Sequence, residues 1–580
     1  MSSETGGYRS QFNKPNGFGN SSNNNRNYEP RQYHGSKRRQ TDEELYEAWA
    51  AVYAQIETNP DAFDIWESLI DAAVALEGGL TKSSSERALQ LARFSFDLFL
   101  KRFPHAHRYW IRFAKLEFRL GFTENAKRMF LEGVSNVPAS VELWKEYCGF
   151  VLMASPDSNA TRVVFESAVA QVGLHFLSHG VWDKYIEFEE REQDPIRLAK
   201  LYARIVRIPL HQYARYFAKF LELAPSVPIE EIVPATVIEQ FRAEFEVDKA
   251  EQEEKPKQTA DESRAEEEAD LSSRVADYHY QIYVTTQNQV AARWQYEAMI
   301  KRSFFHVVYL PEDELVNWRR YLYFEEVEGN EDRIIALYER AVIPTARYEE
   351  VWLRYARWLV ASDLPEHART VFQRGAYSVP IGRTELRLQF ARFEESQGFP
   401  ETAKEIYSSI IEALPACVEA IIGLANLKRR HESSSAAIEF LEAKCATLLE
   451  DPSNKDFILA AALLVVSLAN ISLYFRGGIK AARKVYQDKA VYFAQVYHFW
   501  LEYLRFEISE TSFIKNAKLK REQQEIIAAL YDQIKTSAGL TPAQLKDLGH
   551  IYMVHLLSSD ELNSQQATQK YFQIDLDVHS

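Results

Sequence analysis

Four glutamates stand seven residues after a tryptophan: Glu117 after Trp110, Glu189 after Trp182, Glu325 after Trp318 and Glu507 after Trp500. In three of these stretches a tyrosine lies between, at Tyr185, Tyr321 and Tyr503. A carboxylate beside a phenol can exchange protons with a substrate, so each set could serve as an acid–base pair. Repetition argues against that use. An active site occurs once, whereas a carboxylate that recurs on an apolar face needs a cationic or backbone partner wherever it is buried. The expectation is that each glutamate pairs with an Arg, a Lys or backbone donors where neighbouring helices meet.

Other reactive side chains lack the company that chemistry requires. His105 and His107 flank Ala106 just after Pro104 and are expected in an exposed turn. His550 and His555 are five apart, a poor spacing for a shared metal on one helix face. Cys148, Cys417 and Cys445 form no CxxC pair, which suits a reducing compartment and gives neither a disulfide framework nor a zinc site. No GxxxxGK[ST], GxGxxG after a strand, HExxH or GxSxG occurs. Arg476-Gly477-Gly478 is a lone RGG and reads as a helix break before Ile479. No catalytic residue, cofactor or metal is expected.

The elements that carry the glutamates are helices. Residues 181–209 read as two amphipathic helices joined by a polar turn, and residues 317–344 are a near copy. Trp182, Tyr185, Phe188, Glu189, Arg197, Leu201, Tyr202 and Arg204 match Trp318, Tyr321, Phe324, Glu325, Arg333, Leu337, Tyr338 and Arg340 at identical offsets. Offsets of 0, 3 and 7 share one helix face, so Trp, Tyr and Glu form a stripe. Further pairs start at Trp66, Trp110, Trp144, Trp352 with Tyr355, and Trp500 with Tyr503. Arg387 takes the Trp place in one unit. Small residues at the start of second helices (Ala88, Ala126, Ala160, Ala368, Ala403) are expected to let helices approach closely. A pair of this kind cannot bury its apolar face alone, and stacking buries the faces in succession. The fold class is therefore all-α, a HAT/TPR-like superhelix in two lobes, and Trp110, Trp144, Trp182, Trp318, Trp352 and Trp500 are its structural anchors.

At 580 residues the chain is too long for one compact core. Its net charge of −15 argues against coating nucleic acid through bulk charge. Residues 1–40 carry seven Lys/Arg against two Glu and few aliphatics, and read as a disordered basic tail. A first repeat block follows over 41–223, with Thr41 and Glu44 forming a capping box. Residues 224–275 read as an acidic linker, either a solvated helix or disordered, since Glu244 to Asp270 hold twelve acidic and four basic residues. A second block covers 276–557, and 558–580 read as a polar, loosely held tail. Phe457 to Phe475 is uncharged and long enough to span a bilayer. Flanking repeats and its Ser and Asn residues favour a helix buried inside the array, with no membrane contact.

The pattern Trp-x-x-Tyr/Phe-x-x-x-Glu, followed by Ala/Arg-x-x-Val/Leu-Tyr/Phe-x-Arg-Ala and a Pro, resembles the HAT repeat, known in scaffolds of RNA-processing complexes. The whole layout resembles the pre-mRNA-processing factor 39 family, through LWKEYCGFV at 143–151, GVWDKYIEFEE at 180–190, RLAKLYARIVRIPLHQY at 197–213 and NWRRYLYFEE at 317–326. That resemblance implies a nuclear, non-enzymatic splicing scaffold that binds U1 snRNP proteins at the 5′ splice site, with RNA contact mostly indirect. It also implies dimerisation through the second block, with itself or with a paralogue. The last helix would then pack into the partner's array through Tyr552, His555 and Leu556. Two rival readings are a HAT-repeat subunit of the 3′-end cleavage machinery and a helical subunit of an enzyme complex such as a prenyltransferase α-chain.

Overall fold

The computed structural model describes residues 41–60, 62–154, 157–251, 260–511, 514, 516–537, 539–558, 568–569 and 572–574. The expected basic tail, 1–40, lies outside the described residues. All regular structure among them is helical. The chain divides into two compact units, residues 1–95 and 96–580, and the division falls within the third helix.

In the first unit, α1 (Asp42–Thr58) starts where Thr41 and Glu44 cap each other reciprocally. Its Trp49 donates to Ser95 Oγ at 2.9 Å. Helix α2 (Phe63–Ala75) buries Phe63, Trp66, Leu69, Ile70 and Ala73 at helical spacing. Helix α3 (Glu86–Arg102) begins in this unit.

The second unit is a succession of antiparallel pairs: α4 (His107–Arg119) with α5 (Thr123–Asn136), α6 (Val141–Ala154) with α7 (Ser158–Val172), and α8 (His179–Glu192) with α9 (Pro195–Ile205). Helices α10 (Tyr213–Leu223), α11 (Ile229–Ile232), α12 (Ala235–Glu251) and α13 (Ala260–Glu297) follow. Pairing resumes with α14 (Glu312–Glu328) and α15 (Glu331–Ala341), α16 (Glu349–Ala361) and α17 (Pro365–Ser378), and α18 (Glu385–Ser396) and α19 (Pro400–Ala413). It continues through α20 (Val418–His431) and α21 (Ser434–Leu449), α22 (Lys455–Ser472) and α23 (Gly478–Lys489), and α24 (Tyr497–Thr511) and α25 (Ala517–Ser537). Helix α26 (Pro542–Leu557) is the last. The architecture is an all-α helical-repeat solenoid.

Local chemistry sets the turns within pairs. Between α8 and α9, Gln193 closes the first helix in the left-handed region at φ 58°. Asp194 then accepts from the amides of Ile196 and Arg197, with Pro195 in the first turn. In the near copy, Gly329 at φ 73° takes the left-handed place and Asn330 accepts from the Arg333 amide at 3.0 Å.

Several expectations change. The boundary placed at 275–276 falls inside α13, a continuous helix across the supposed linker edge. Leu271, Val275, His279, Thr286, Val290 and Arg293 are buried along one side of it, a stripe that begins directly after the acidic run ends at Asp270. Arg274 joins α13 to α12 by pairing with Glu244 at 3.0 Å and with Asp248, and it also binds Asp270 of its own helix at 2.6 Å. Thr286 Oγ1 donates to the Val206 carbonyl at 2.8 Å, tying α13 to the end of α9. Ala160 is exposed, and Thr161 takes the small-residue place in α7. The uncharged stretch at 457–475 supplies most of α22, where Ala460, Ala461, Leu464, Val465, Leu468 and Ala469 are buried among neighbouring helices. In the expected polar tail, Ile574 is buried against the core cluster of the second unit.

Candidate functional site

The recurring residues meet at the joints between successive pairs, and each joint has the same parts. The Trp of a first helix is buried and, Trp318 excepted, its indole N–H donates to a backbone carbonyl ahead of that helix. The acceptors are Pro104 for Trp110, Pro138 for Trp144, Ala346 for Trp352 and Ala494 for Trp500, at 2.8–3.2 Å. Trp182 donates to the Gly173 carbonyl at 3.1 Å. A Cβ on Gly173 would sit 3.0 Å from the Trp182 ring and 2.3 Å from the Val169 carbonyl oxygen, so this position requires glycine. Where Arg387 replaces Trp, its guanidinium donates to the carbonyls of Ala376, Val379, Pro380 and Arg383. The replacement keeps the contact to the preceding backbone and discards the ring.

Three residues on, an aromatic ring stacks on a ring from the preceding pair's second helix. Phe165 and Tyr185 lie 4.9 Å apart at 7°, Tyr296 and Tyr321 5.0 Å at 7°, Tyr338 and Tyr355 4.5 Å at 4°, and Tyr486 and Tyr503 4.6 Å at 5°. Tyr531 and Tyr552 repeat the arrangement at 4.6 Å, which makes α26 a first helix of the same kind.

Seven residues on, the glutamate is buried and held by an arginine three residues before that stacked ring. Arg162 binds Glu189 through two nitrogens at 2.7 and 3.1 Å, and Arg293 binds Glu325 at 2.6 and 2.8 Å. Arg369 reaches Glu394 at 2.8 Å, and Arg483 binds Glu507 at 2.7 Å twice. Asn125 donates to Glu117 at 3.0 Å. Forked pairs of this kind join two helices with fixed geometry.

A second polar joint was not legible beforehand. The residue after the stacked ring is Glu166, Glu297 or Glu339. It accepts from the tyrosine of the next pair: Tyr185 at 2.7 Å, Tyr321 at 2.9 Å, Tyr355 at 3.1 Å. It also binds the arginine late in that pair's second helix: Arg204 at 2.7 Å, Arg340 at 2.6 and 2.7 Å, Arg374 at 2.8 Å twice. The same arginines lie over Trp182, Trp318 and Trp352 at 5.4–5.5 Å. The sequence signal is an acid directly after the aromatic, in Phe165-Glu166, Tyr296-Glu297 and Tyr338-Glu339.

These groups are poorly disposed for proton transfer. Burial, then the neighbouring carboxylate, holds the phenols of Tyr185, Tyr321 and Tyr355 far above their ordinary range, so they remain hydrogen-bond donors. Burial pushes the Cys148 thiol up to about 12. His105 and His107 are not in an exposed turn. Both are buried, because the corner between α3 and α4 packs against other helices of the unit. His105 Nε2 lies 2.8 Å from Ser378 Oγ, and His107 Nε2 lies 3.1 Å from Glu142. Burial, then the Arg374 charge, brings His105 down to about 3. His555 is buried and His550 exposed, on different faces of α26. No group of three or more His, Cys, Asp or Glu among the described residues could hold a metal.

The interface expected on α26 also changes. Tyr552, His555 and Leu556 are 6%, 8% and 8% exposed. Helix α26 packs on α24 and α25 of its own chain, and Tyr552 stacks on Tyr531 of α25. The apolar residues that it leaves outward are Val554 and Leu557.

A joint built from Trp, stacked Tyr and a buried Glu–Arg fork, repeated pair after pair, defines a HAT-repeat solenoid. Family comparisons agree: residues 50–222 match the PRP39 N-terminal HAT repeat and residues 291–430 the PRP39 C-terminal HAT repeat. The chain is 36% identical over 544 residues to pre-mRNA-processing factor 39 of Schizosaccharomyces pombe, covering 91% of this chain and 86% of that protein. The Xenopus laevis protein of the same name is 27% identical over 501 residues, covering 84% and 74%. The U1 small nuclear ribonucleoprotein component PRP42 of Saccharomyces cerevisiae is 24% identical over 325 residues, covering 54% and 58%. The chain belongs to the pre-mRNA-processing factor 39 family.

Proposed function

We propose that the chain is a non-enzymatic scaffold of the U1 snRNP that acts in the nucleus at 5′ splice site recognition. Sequence identity of 36% along 91% of the chain with a pre-mRNA-processing factor carries this reading. The relation to a U1 snRNP component supplies the particle. Chemistry points the same way. Of the carboxylates that could have served as acid–base groups, Glu189, Glu325 and Glu507 are held in arginine forks, and the phenols of Tyr185 and Tyr321 donate to other carboxylates. What remains for such an array is to offer surfaces at fixed spacing to protein partners.

Dimerisation through the second block, with itself or with a paralogue, belongs to this proposal. The exposure of Val554 and Leu557 on α26 supports this reading. Affinity purification of the full chain from nuclear extract, reading both proteins and RNA, tests the particle. U1 RNA and U1 proteins are the expected recovery, and cleavage-factor subunits without U1 RNA would overturn the proposal. Light scattering at micromolar concentration tests self-association, with Val554→Asp/Leu557→Asp expected to shift any dimer toward monomer.

A further inference from the structure

Helices α22 and α23 are joined by a π-helical turn, Leu473–Gly477. Gly478 follows at φ 66°, a conformation that a side chain would strain. Such turns are frequent at functional sites. This one leaves Tyr474 75% and Phe475 53% exposed, although α22 beside it is among the most thoroughly buried helices of the second unit. The two rings lie 6.5 Å apart, edge to face. Arg429, in the last turn of α20, sits over the Phe475 ring at 4.8 Å. Arg476 is largely exposed, and its nearest carboxylate, Glu442, is 3.8 Å away. Lys480 and Lys484 are exposed one and two turns along α23, and neither pairs with a carboxylate among the described residues. An acidic chain thus presents two exposed rings, one of them with Arg429 over one face, at a turn followed by the exposed cations Arg476, Lys480 and Lys484.

We infer that this turn binds single-stranded RNA, with bases stacking on Tyr474 and Phe475 and phosphates meeting Arg429, Arg476, Lys480 and Lys484. Stacking on aromatic side chains combined with a basic path for the backbone is the usual chemistry of single-strand recognition. An acidic peptide would satisfy the cations and leave the rings in water. An apolar peptide anchor needs an enclosed groove, whereas a base needs only a π-face.

The test uses the full chain and a fluorescein-labelled oligouridylate of about 15 nucleotides, read by anisotropy between about 50 and 200 mM salt. Tyr474→Ala/Phe475→Ala is expected to weaken binding roughly 30-fold or more, given the usual loss per stacked base counted for two rings. Arg429→Ala/Arg476→Ala is expected to flatten the log–log salt slope by about 1.4, at about 0.7 per phosphate contact. Tyr323→Ala, an exposed ring on α14, serves as control and is expected to bind as the parent does. A 4-thiouridine version of the oligonucleotide is expected to crosslink within the peptide that carries Tyr474 and Phe475, a readout that does not depend on any variant folding. Parent-like binding by the ring variant, or crosslinks confined to residues 1–40, would overturn the assignment. So would unchanged RNA binding combined with lost binding to phosphatidylserine vesicles. Purified protein and bare RNA are used, so the outcome is independent of whether the chain assembles with the U1 particle.

Discussion

The joints at Trp182 and Trp318 carry the same residues at the same offsets, yet they stand in different surroundings. At Trp318 the Arg340–Glu297 pair is enclosed, its side chains 6% and 4% exposed. The matching Arg204–Glu166 pair is 46% and 48% exposed. The difference extends to the indoles. Trp182 donates to the Gly173 carbonyl, whereas Trp318 Nε1 is buried with no acceptor among the described residues. Identical motifs therefore differ in energetic weight. An ion pair in water contributes little, and a buried one cannot lose a single partner cheaply.

The largest expected effect tests that contrast directly. Arg340→Ala strands Glu297 in the interior and is expected to cost about 3–5 kcal/mol. Arg204→Ala is expected to cost about 1 kcal/mol or less, because water replaces the lost partner. Urea midpoints of the two variants measure the difference, and equal losses would break the comparison. Truncating either tryptophan to Ala is expected to cost on the order of 3–5 kcal/mol at both joints, since both rings are fully buried. A parent-like melt would mean that the ring is not core.

A third joint extends the comparison to pH. His105 lies against Trp352 at 6.1 Å and is neutral in the folded chain. Its pKa falls from about 6.5 in the unfolded state to about 3, so the unfolded chain takes up the proton first as pH drops. The contribution is fully present above about pH 6.5 and is lost progressively toward pH 3. Between pH 7 and 5 the loss is expected to be about 1–2 kcal/mol. His105→Asn is expected to remove that slope from the urea midpoint. The smallest effect separates the two indoles. Trp182→Phe and Trp318→Phe remove the same volume, but only the first breaks a hydrogen bond, after which the Gly173 carbonyl keeps Ser178 Oγ, at 3.0 Å, as a donor. Trp182→Phe is expected to cost about 1 kcal/mol more.

Much of this organisation was legible from residue spacing. The Trp, Tyr and Glu offsets placed the stripe, and burial of a recurring carboxylate implied a cationic partner. Which arginine answers which glutamate was not legible, because the partner lies on the previous pair: Arg162 is 27 residues before Glu189, and Arg293 is 32 before Glu325. The clue was local all the same. Arg162, Arg293, Arg369 and Arg483 each precede by three the ring that stacks on the next pair. The edge of the acidic stretch was hidden for a different reason: charge density marks what faces water, whereas α13 runs on without a break from the acidic run into the buried stripe that begins at Leu271. The outward side of α26 was also hidden. Tyr552 is expected to pack into a partner's array, yet it occupies within its own chain the stacking position that Tyr185 and Tyr321 hold elsewhere.

Every second helix that ends in this arginine–aromatic–glutamate set offers the next pair the same three groups. Helix α13, for all its length and charge, ends with Arg293, Tyr296 and Glu297, the counterparts of Arg162, Phe165 and Glu166 on α7. A duplication or loss of a whole pair therefore joins matching ends, while a partial one sets a carboxylate against the wrong neighbour. A whole pair can thus be added or removed with its seams intact, whereas the outer surface is under no such constraint.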